Sequence, residues 1–190
     1  MSNHFFAYLS RMKYIDRWSL MRNTRNENLS EHSLEAAVIA HALCVIANTY
    51  FGADLNPERA AAIALFHDAS EIITGDMPTP IKYYNPDISR AYKDIEHIAK
   101  DKLISMLPPE MAGEYRGLFY DGSEEAKRVK WADKISAYIK CVEEKKAGNR
   151  EFVRASESIY ETIQKIDAPE VNYFLNNFLP SYALTLDEQE

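Results

Sequence analysis

The chain has 190 residues, of which 46% are apolar and 27% charged, a composition typical of a globular protein with a packed core and not of a disordered or fibrous one. Its net charge of −7 disfavours a nucleic-acid polymer as ligand, because polyanions repel one another. We find no signal peptide, and the longest apolar stretch, around 36–47, is too short to span a bilayer. Two cysteines, Cys44 and Cys141, lie in apolar helical stretches, so we expect a cytoplasmic protein that does not bind membranes.

Apolar residues recur at helical spacing nearly everywhere, which predicts an all-α fold. After a first segment over 5–15, a second helix should run from Ser30 to Tyr50, capped by Asn28 with Glu31 or by Ser30. A third begins with Asn56 as N-cap and Pro57 in the first helical position, and should continue to Gly75. The two prolines of 76–80 should then exclude helix or central strand.

The second half of the chain continues the helical pattern. A fourth helix should follow 85–87 and end at 108–109, and a fifth should begin after the turn at 121–123 and close at 148–149. Two further helices should flank 167–169, with Pro180 ending the last one. Because no linker rich in Gly, Pro or Ser divides the chain, we predict one all-α helical bundle over residues 1–190.

Ionisable residues interrupt this apolar pattern in the third predicted helix. His67 and Asp68 are adjacent, and Glu71 follows within one turn, so an imidazole and two carboxylates should share one patch. Burying such groups is costly unless they are paired or bind a metal. A solvated helix end would explain a His-Asp pair taken alone.

Two distant residues have similar character. His32 lies at the polar start of the second helix, and Asp133 lies beside the apolar stripe of the fifth. Considered separately, His32 could be a polar residue of the capping region, and Asp133 could form a salt bridge with Lys130 or Lys134. Five basic residues against one acid over 11–25 also suit a small anionic ligand, or a solvated helix face.

The order His, His-Asp and distant Asp resembles the HD-domain phosphohydrolases, a helical metal-dependent superfamily. The blocks at 5–6, 15–18, 30–33, 67–71 and 75–80 together resemble its bacterial 5′-deoxynucleotidase (YfbR-type) subfamily, over essentially the whole chain. The segment 112–123 and the end of the chain match less clearly, and Met77 replaces an expected leucine.

The resemblance implies a fold of the HD-domain type and an enzyme that hydrolyses deoxyribonucleoside 5′-monophosphates. It also implies a homodimer. Its metal ligands would be His32, His67, Asp68 and Asp133, and three of these (His32, Asp68 and Asp133) would also contact the substrate. Glu71 would be the catalytic carboxylate, Arg17 would orient the phosphate, Trp18 would favour the deoxy sugar, and the nucleotide site would include Asp76, Met77, Pro78 and Thr79. Two imidazoles and two carboxylates suit one divalent ion of cobalt, manganese, iron or zinc.

Three alternatives remain open at this stage. Another HD-type enzyme would act on a guanosine polyphosphate, a cyclic dinucleotide or a deoxynucleoside triphosphate. A regulatory module would use the metal site only to bind a nucleotide, although it would need neither Glu71 nor Arg17. A purely structural helical protein would bind no transition metal.

Overall fold

The computed structural model describes residues 3–82 and 84–189, without the side chain of Thr79. These residues form ten α-helices: α1 Phe5–Leu9, α2 Leu29–Phe51, α3 Pro57–Phe66, α4 Glu71–Thr74, α5 Thr79–Lys82, α6 Pro86–Ile104, α7 Pro109–Phe119, α8 Glu124–Lys146, α9 Val153–Gln164 and α10 Pro169–Asn177. Short 3₁₀ helices cover Ser10–Tyr14, Arg150–Phe152, Leu179–Ala183 and Leu186–Gln189. Within the described ranges the only extended pairing is a single bridge between Asp16 and Asn28.

Local sequence signals explain where the long helices begin. The Asn28 side chain accepts hydrogen bonds from the Ser30 and Glu31 amides, and Glu31 bonds back to the Asn28 amide, so the predicted capping box starts α2. Asn56 caps α3, and Ser123 caps α8. Each of these polar side chains satisfies a backbone amide that has no partner inside its helix.

Helix α2 occupies the centre of the molecule, where it packs against α3, α8 and α10. Its inner face is apolar, and residues such as Ile39, Ala40 and Leu43 are almost fully buried. With 23 residues and a mean hydropathy of 1.5, α2 is long and apolar enough to cross a membrane by length and composition. The complete helix is thus longer than the apolar stretch considered in the sequence. In this fold 44% of its most apolar window is buried, and the core helix of a globular protein passes the same test.

The third predicted helix is interrupted where the ionisable residues lie. Helix α3 ends at Phe66, residues 67–70 form consecutive turns, and α4 begins at Glu71. The prediction of one helix continuing to Gly75 was wrong: the helix ends at Phe66, although no Gly or Pro lies there. Gly75 then reverses the chain with a φ of 74°, a backbone conformation that glycine adopts without steric cost.

Two other helices differ from prediction. Pro80 does not exclude a helix, because it lies in the first turn of α5, where its missing amide costs no hydrogen bond. Helix α7 was not predicted; its first residue, Pro109, was interpreted only as the end of the preceding helix.

The loop between the first 3₁₀ helix and α2 is tied to α8. The amides of Thr24 and Arg25 donate to the Glu144 carboxylate at 2.9 and 3.3 Å, and Lys140 donates to the same carboxylate at 2.5 Å. Glu144 and Lys140 are 2% and 5% exposed, so they form a buried ion pair that holds the loop. This anchoring matters because the loop carries Arg17 and Trp18.

Candidate active site

Four side chains from three regions of the chain converge at one end of α2. His32 comes from the first turn of α2, His67 and Asp68 from the turns after α3, and Asp133 from the middle of α8. One ligand atom from each lies within 4.8 Å of the others. The closest pairs are His32 Nε2 with Asp133 Oδ1 and His67 Nε2 with Asp68 Oδ2, both at 3.1 Å.

Hydrogen bonds fix both imidazoles through their Nδ1 atoms. Nδ1 of His67 lies 2.6 Å from the Ala64 carbonyl, to which it can only donate. Nδ1 of His32 lies 3.1 Å from the Ser136 hydroxyl, which itself donates to Glu35 at 2.6 Å. In the neutral rings both Nε2 atoms therefore carry a lone pair and face the cluster.

These Nε2 atoms support a metal site. Both are buried without a hydrogen bond, although carboxylate oxygens lie close by. Lone pairs facing carboxylates at that distance repel each other unless a cation or proton lies between them. Donor atoms about 2.0–2.2 Å from an ion are separated by about 3–4.4 Å. The four closest nitrogen–oxygen pairs of this cluster lie 3.1–4.0 Å apart, and all four donors lie within 4.8 Å, close to that range.

The charges of the cluster depend on one another. Burial raises the pKa of Asp68. The charges of His67, His32 and Arg17 lower this pKa by a larger amount, so it lies well below its usual value. Burial lowers the pKa of His67, but Asp68 and Asp133 raise it to about 9. A metal ion bound at His67 Nε2 would therefore take the place of this proton and release it.

Glu71 lies beside the four donors at the start of α4 and is 6% exposed. Burial and the charges of Asp68 and Asp76 raise the pKa of Glu71 to about 9. One of its oxygens, Oε2, is buried without a hydrogen bond. A cation in the adjacent cluster would lower this pKa, so the carboxyl group is suited to exchange a proton near neutral pH.

Arg17 points at the cluster from the opposite side. Its Nη1 donates to Asp68 at 3.2 Å, and its Nε donates to Glu27 Oε2 at 3.2 Å. Burial lowers the pKa of Arg17, but Asp68, Asp133 and Glu27 raise it above its ordinary value, so the guanidinium is permanently charged. A fixed planar cation beside a metal site is well suited to bind a phosphate group.

Trp18 has an unusual backbone conformation. Its φ is 59°, a left-handed value that is rare for a bulky residue and costs roughly 1–3 kcal/mol. The indole Nε1 donates to Glu27 Oε2 at 2.9 Å, and the ring packs against Phe152 at 5.3 Å between centroids. The surroundings thus hold the indole in one orientation, next to Arg17.

A cavity of about 860 Å³ opens beside these groups. Its lining includes the predicted site residues Arg17, Trp18, Asp68, Glu71, Asp76, Met77, Pro78 and Asp133. The role predicted for Thr79 lies outside the described side chains. Burial raises the pKa of Asp76, although Arg17 opposes the shift.

Several residues of this site were not predicted from the sequence. Glu27, which binds Arg17 and Trp18, and Ser136, which binds His32, carried no motif. Glu35 could have been suspected, because it lies one turn after His32 in an apolar helix. The salt bridge considered for Asp133 is replaced by its contact with His32.

Comparison with known proteins identifies a family of nucleotide hydrolases. Residues 4–182 match the family described as 5′-deoxynucleotidase YfbR-like. A 5′-deoxynucleotidase of Yersinia pestis (strain Pestoides F) is 53% identical over 189 residues, covering 98% of this chain and 96% of the relative. One from Yersinia pseudotuberculosis (serotype O:3, strain YPIII) has the same identity and coverage.

Solved structures show the same architecture. An HD-domain phosphohydrolase from Listeria innocua has a TM-score of 0.84 and 27% identity, covering 96% of this chain and 90% of its own. The HD phosphohydrolase of cyanophage S-2L, bound to dA and one catalytic Zn²⁺, has a TM-score of 0.66 and 20% identity, covering 94% and 96%. The all-α fold of the HD-domain type is confirmed.

Proposed function

The chain belongs to the YfbR-like 5′-deoxynucleotidase family and hydrolyses deoxyribonucleoside 5′-monophosphates to deoxyribonucleosides and phosphate, and on this premise we propose which side chains perform the reaction. His32, His67, Asp68 and Asp133 hold one divalent metal ion. The observation that carries this assignment is the pair of buried Nε2 atoms without hydrogen bonds, which face two carboxylates.

The donor set narrows the choice of metal. Two imidazoles and two carboxylates, without a thiolate, suit cobalt, manganese, iron or catalytic zinc. The Zn²⁺ and dA named for the cyanophage structure are consistent with a divalent metal and a nucleotide ligand in this fold. When bound, such an ion would polarise the phosphoryl group and lower the pKa of water from 15.7 towards about 7.

The chain's own residues supply positioning and proton transfer. Arg17 binds the phosphate and stabilises the charge on its oxygens, because its guanidinium is permanently charged and fixed by Glu27. Water attacks phosphorus and the 5′-oxygen leaves. Glu71 orients or deprotonates the attacking water, or protonates the leaving oxygen. Its raised pKa suits proton donation, whereas deprotonating water needs the lower pKa that a cation in the cluster would produce.

The remaining site residues contact the nucleoside. Trp18 lies next to Arg17 on the cavity wall, so we place its indole against the sugar, where it favours the deoxy form. Asp76, Met77 and Pro78 line the same cavity and contact the nucleotide. Asp68 and Asp133 line the cavity, so in this assignment they contact the substrate as well as the metal. The contact with the substrate implied for His32 would be made only at the metal, because His32 is fully buried and does not line the cavity.

We propose further that the enzyme is a homodimer and that α2 forms the interface. Leu34, Val38 and Val45 share one outer face of this helix, and they are 60%, 61% and 40% exposed. An exposed face with several large apolar side chains on the central helix is the kind of surface that a second copy covers. Because both cysteines are free and buried, we place this dimer in the cytoplasm, as one domain over residues 1–190.

Phosphate release from a panel of nucleotides tests the function. We expect release from dAMP and dTMP in the presence of a divalent ion, and much slower release from AMP and 3′-dAMP. Release of pyrophosphate or triphosphate would favour a different HD-type substrate. Nucleotide binding without hydrolysis would favour the regulatory module.

The role of Glu71 has its own test. Glu71→Gln should lower kcat about 100-fold or more while the metal content of the purified protein stays unchanged. Glu114→Gln, on an exposed position of α7, is the matched control. If Glu71→Gln keeps full turnover, its assignment is wrong.

A further inference from the structure

The cavity extends well beyond the residues assigned above. Its lining also includes α9, through Ala155, Ser158, Ile159 and Thr162. These four residues, here called the α9 wall, are spaced i, i+3, i+4 and i+7, so they share one face of the helix. The sequence patterns considered above assign no function to this face.

One contact connects the proposed phosphate site with α9. Arg17, Asp68 and Glu71 suit a phosphate; Trp18 follows Arg17 in the chain, and its ring packs against Phe152, immediately before α9. A deoxynucleotide consists of phosphate, sugar and base, in that order. If the phosphate binds at the metal cluster and the sugar at Trp18, the base extends toward α9.

The chemistry of the α9 wall suits a nucleobase. Ala155 and Ile159 offer an aliphatic surface for the flat face of a ring. The exposed Ser158 hydroxyl can donate to or accept from a base edge, and Thr162 can accept, because its hydroxyl donates to the Ser158 carbonyl at 2.9 Å.

Other residues of the cavity lining are also mostly apolar with an occasional polar group. Met21 and Ala137 add apolar surface, and Lys134 adds a flexible donor. Ala137 lies one helical turn after Asp133, so this part of α8 continues directly from the metal cluster. A mostly apolar cavity with a few polar groups is the usual environment of a bound ring.

We propose that the α9 wall is the base-binding surface of the enzyme, where the nucleobase of a deoxynucleoside 5′-monophosphate packs on Ile159 and its edge faces Ser158. This inference rests on the proposed function, because it takes the metal cluster as the phosphate end. It adds a specificity-determining surface that contacts neither phosphate nor metal.

The test fills this surface without touching the phosphate end. Ser158→Trp should raise the KM for dAMP about tenfold or more, because the indole occupies the space of the base. The inhibition constant of 2-deoxyribose 5-phosphate against dAMP hydrolysis should stay unchanged, since this molecule has the phosphate and the sugar but no base. Glu157→Trp, the exposed neighbour outside the cavity lining, should alter neither constant.

Two results would overturn the proposal. An unchanged KM for dAMP in Ser158→Trp would show that the base binds elsewhere, and equal weakening of dAMP and 2-deoxyribose 5-phosphate would show that α9 faces the phosphate or the sugar. If Ser158→Trp does not fold, Ile159→Ala gives the same comparison by removing apolar surface. Absence of phosphate release from dAMP by the unmodified enzyme would contradict the proposed function itself, and the α9 wall with it.

Discussion

Glu27 links the residue proposed to bind phosphate with the residue proposed to sense the sugar. One of its oxygens, Oε2, accepts from Arg17 Nε at 3.2 Å and from Trp18 Nε1 at 2.9 Å. Glu27 is 9% exposed, so water competes little for these bonds. Arg17 and Trp18 are therefore held by a common acceptor, and a change at Glu27 should affect both.

We expect Glu27→Gln to reduce kcat/KM for dAMP about 10- to 100-fold, because the amide loses the charge that holds Arg17. The preference for dAMP over AMP should fall in the same variant, since Trp18 loses its acceptor. Steady-state kinetics on both nucleotides measures the two effects. Glu58→Gln, on an exposed position of α3, is the control, and an unchanged sugar preference would contradict the shared role.

Ser136 acts on the proposed metal site through His32. Its hydroxyl lies between His32 Nδ1 and Glu35, and it is fully buried. Ser136→Ala should weaken the affinity for the divalent ion about 10- to 100-fold, because the ring of His32 loses its partner. Isothermal titration of the metal-free protein with Mn²⁺ measures this; the equally buried Ser156→Ala is the control, and equal affinities would exclude the role.

At the scale of single elements, the sequence predicted helix starts better than helix ends. Asn28, Asn56 and Ser123 cap helices where expected, because a capping bond is local and its residues are adjacent in the chain. The end of α3 at Phe66 was missed, since no Gly, Pro or capping residue marks it in the sequence. Helix α7 was missed because Pro109 both follows one helix and begins another.

The proposed site follows the same distinction between local and distant signals. The His67–Asp68 pair stands out in an apolar helix, and with His32 and Asp133 it matched a known pattern. Ser136 and Glu27 gave no comparable signal, because their partners lie 104 and about ten residues away and only folding brings them together. The sequence therefore indicated the proposed ligands but not the residues that orient them.

The loop that carries Arg17 and Trp18 depends on its anchor to α8. Burial raises the pKa of Glu144. Hydrogen bonds from Lys140 and Thr24 lower this pKa by a larger amount, so the folded-state pKa lies well below the ordinary 4.5. This contribution to stability is present above pH 4.5 and is lost as pH falls toward the folded-state pKa. Below pH 4.5 it should decrease by about 1.4 kcal/mol per pH unit.

Glu144→Gln tests this anchor. At pH 7 the free energy of unfolding should fall by about 3 kcal/mol, because Lys140 keeps a buried charge without its partner. The difference from the unmodified protein should shrink as pH is lowered from 5 toward about 3.5. Urea unfolding at several pH values measures it, and a pH-independent difference would show that Glu144 is not ionised in the folded state.

At the scale of the whole molecule, α2 combines two proposed roles. Its inner face forms the core and its first turn supplies His32, while its outer face leaves apolar side chains exposed. The family's activity needs the first property, and the proposed dimer needs the second. The two can be separated by mutation, because they lie on opposite sides of one helix.

If the proposed dimer forms through α2, Val38→Glu should convert it into a monomer, with dimerisation weakened at least about 100-fold, since a buried carboxylate would have no partner. Sedimentation velocity measures the oligomeric state. Ile98→Glu on α6 is the control, because Ile98 is as exposed as Val38 but lies on another surface. A Val38→Glu protein that remains dimeric would place the interface elsewhere.

The left-handed backbone of Trp18 also constrains how this enzyme can be engineered. Glycine would relieve the strain at this position but would remove the indole proposed to discriminate between sugars. Laboratory evolution for heat resistance and selection for a strict preference among nucleotides should therefore favour different residues at position 18. In this family the two selections are expected to conflict first in the loop before α2.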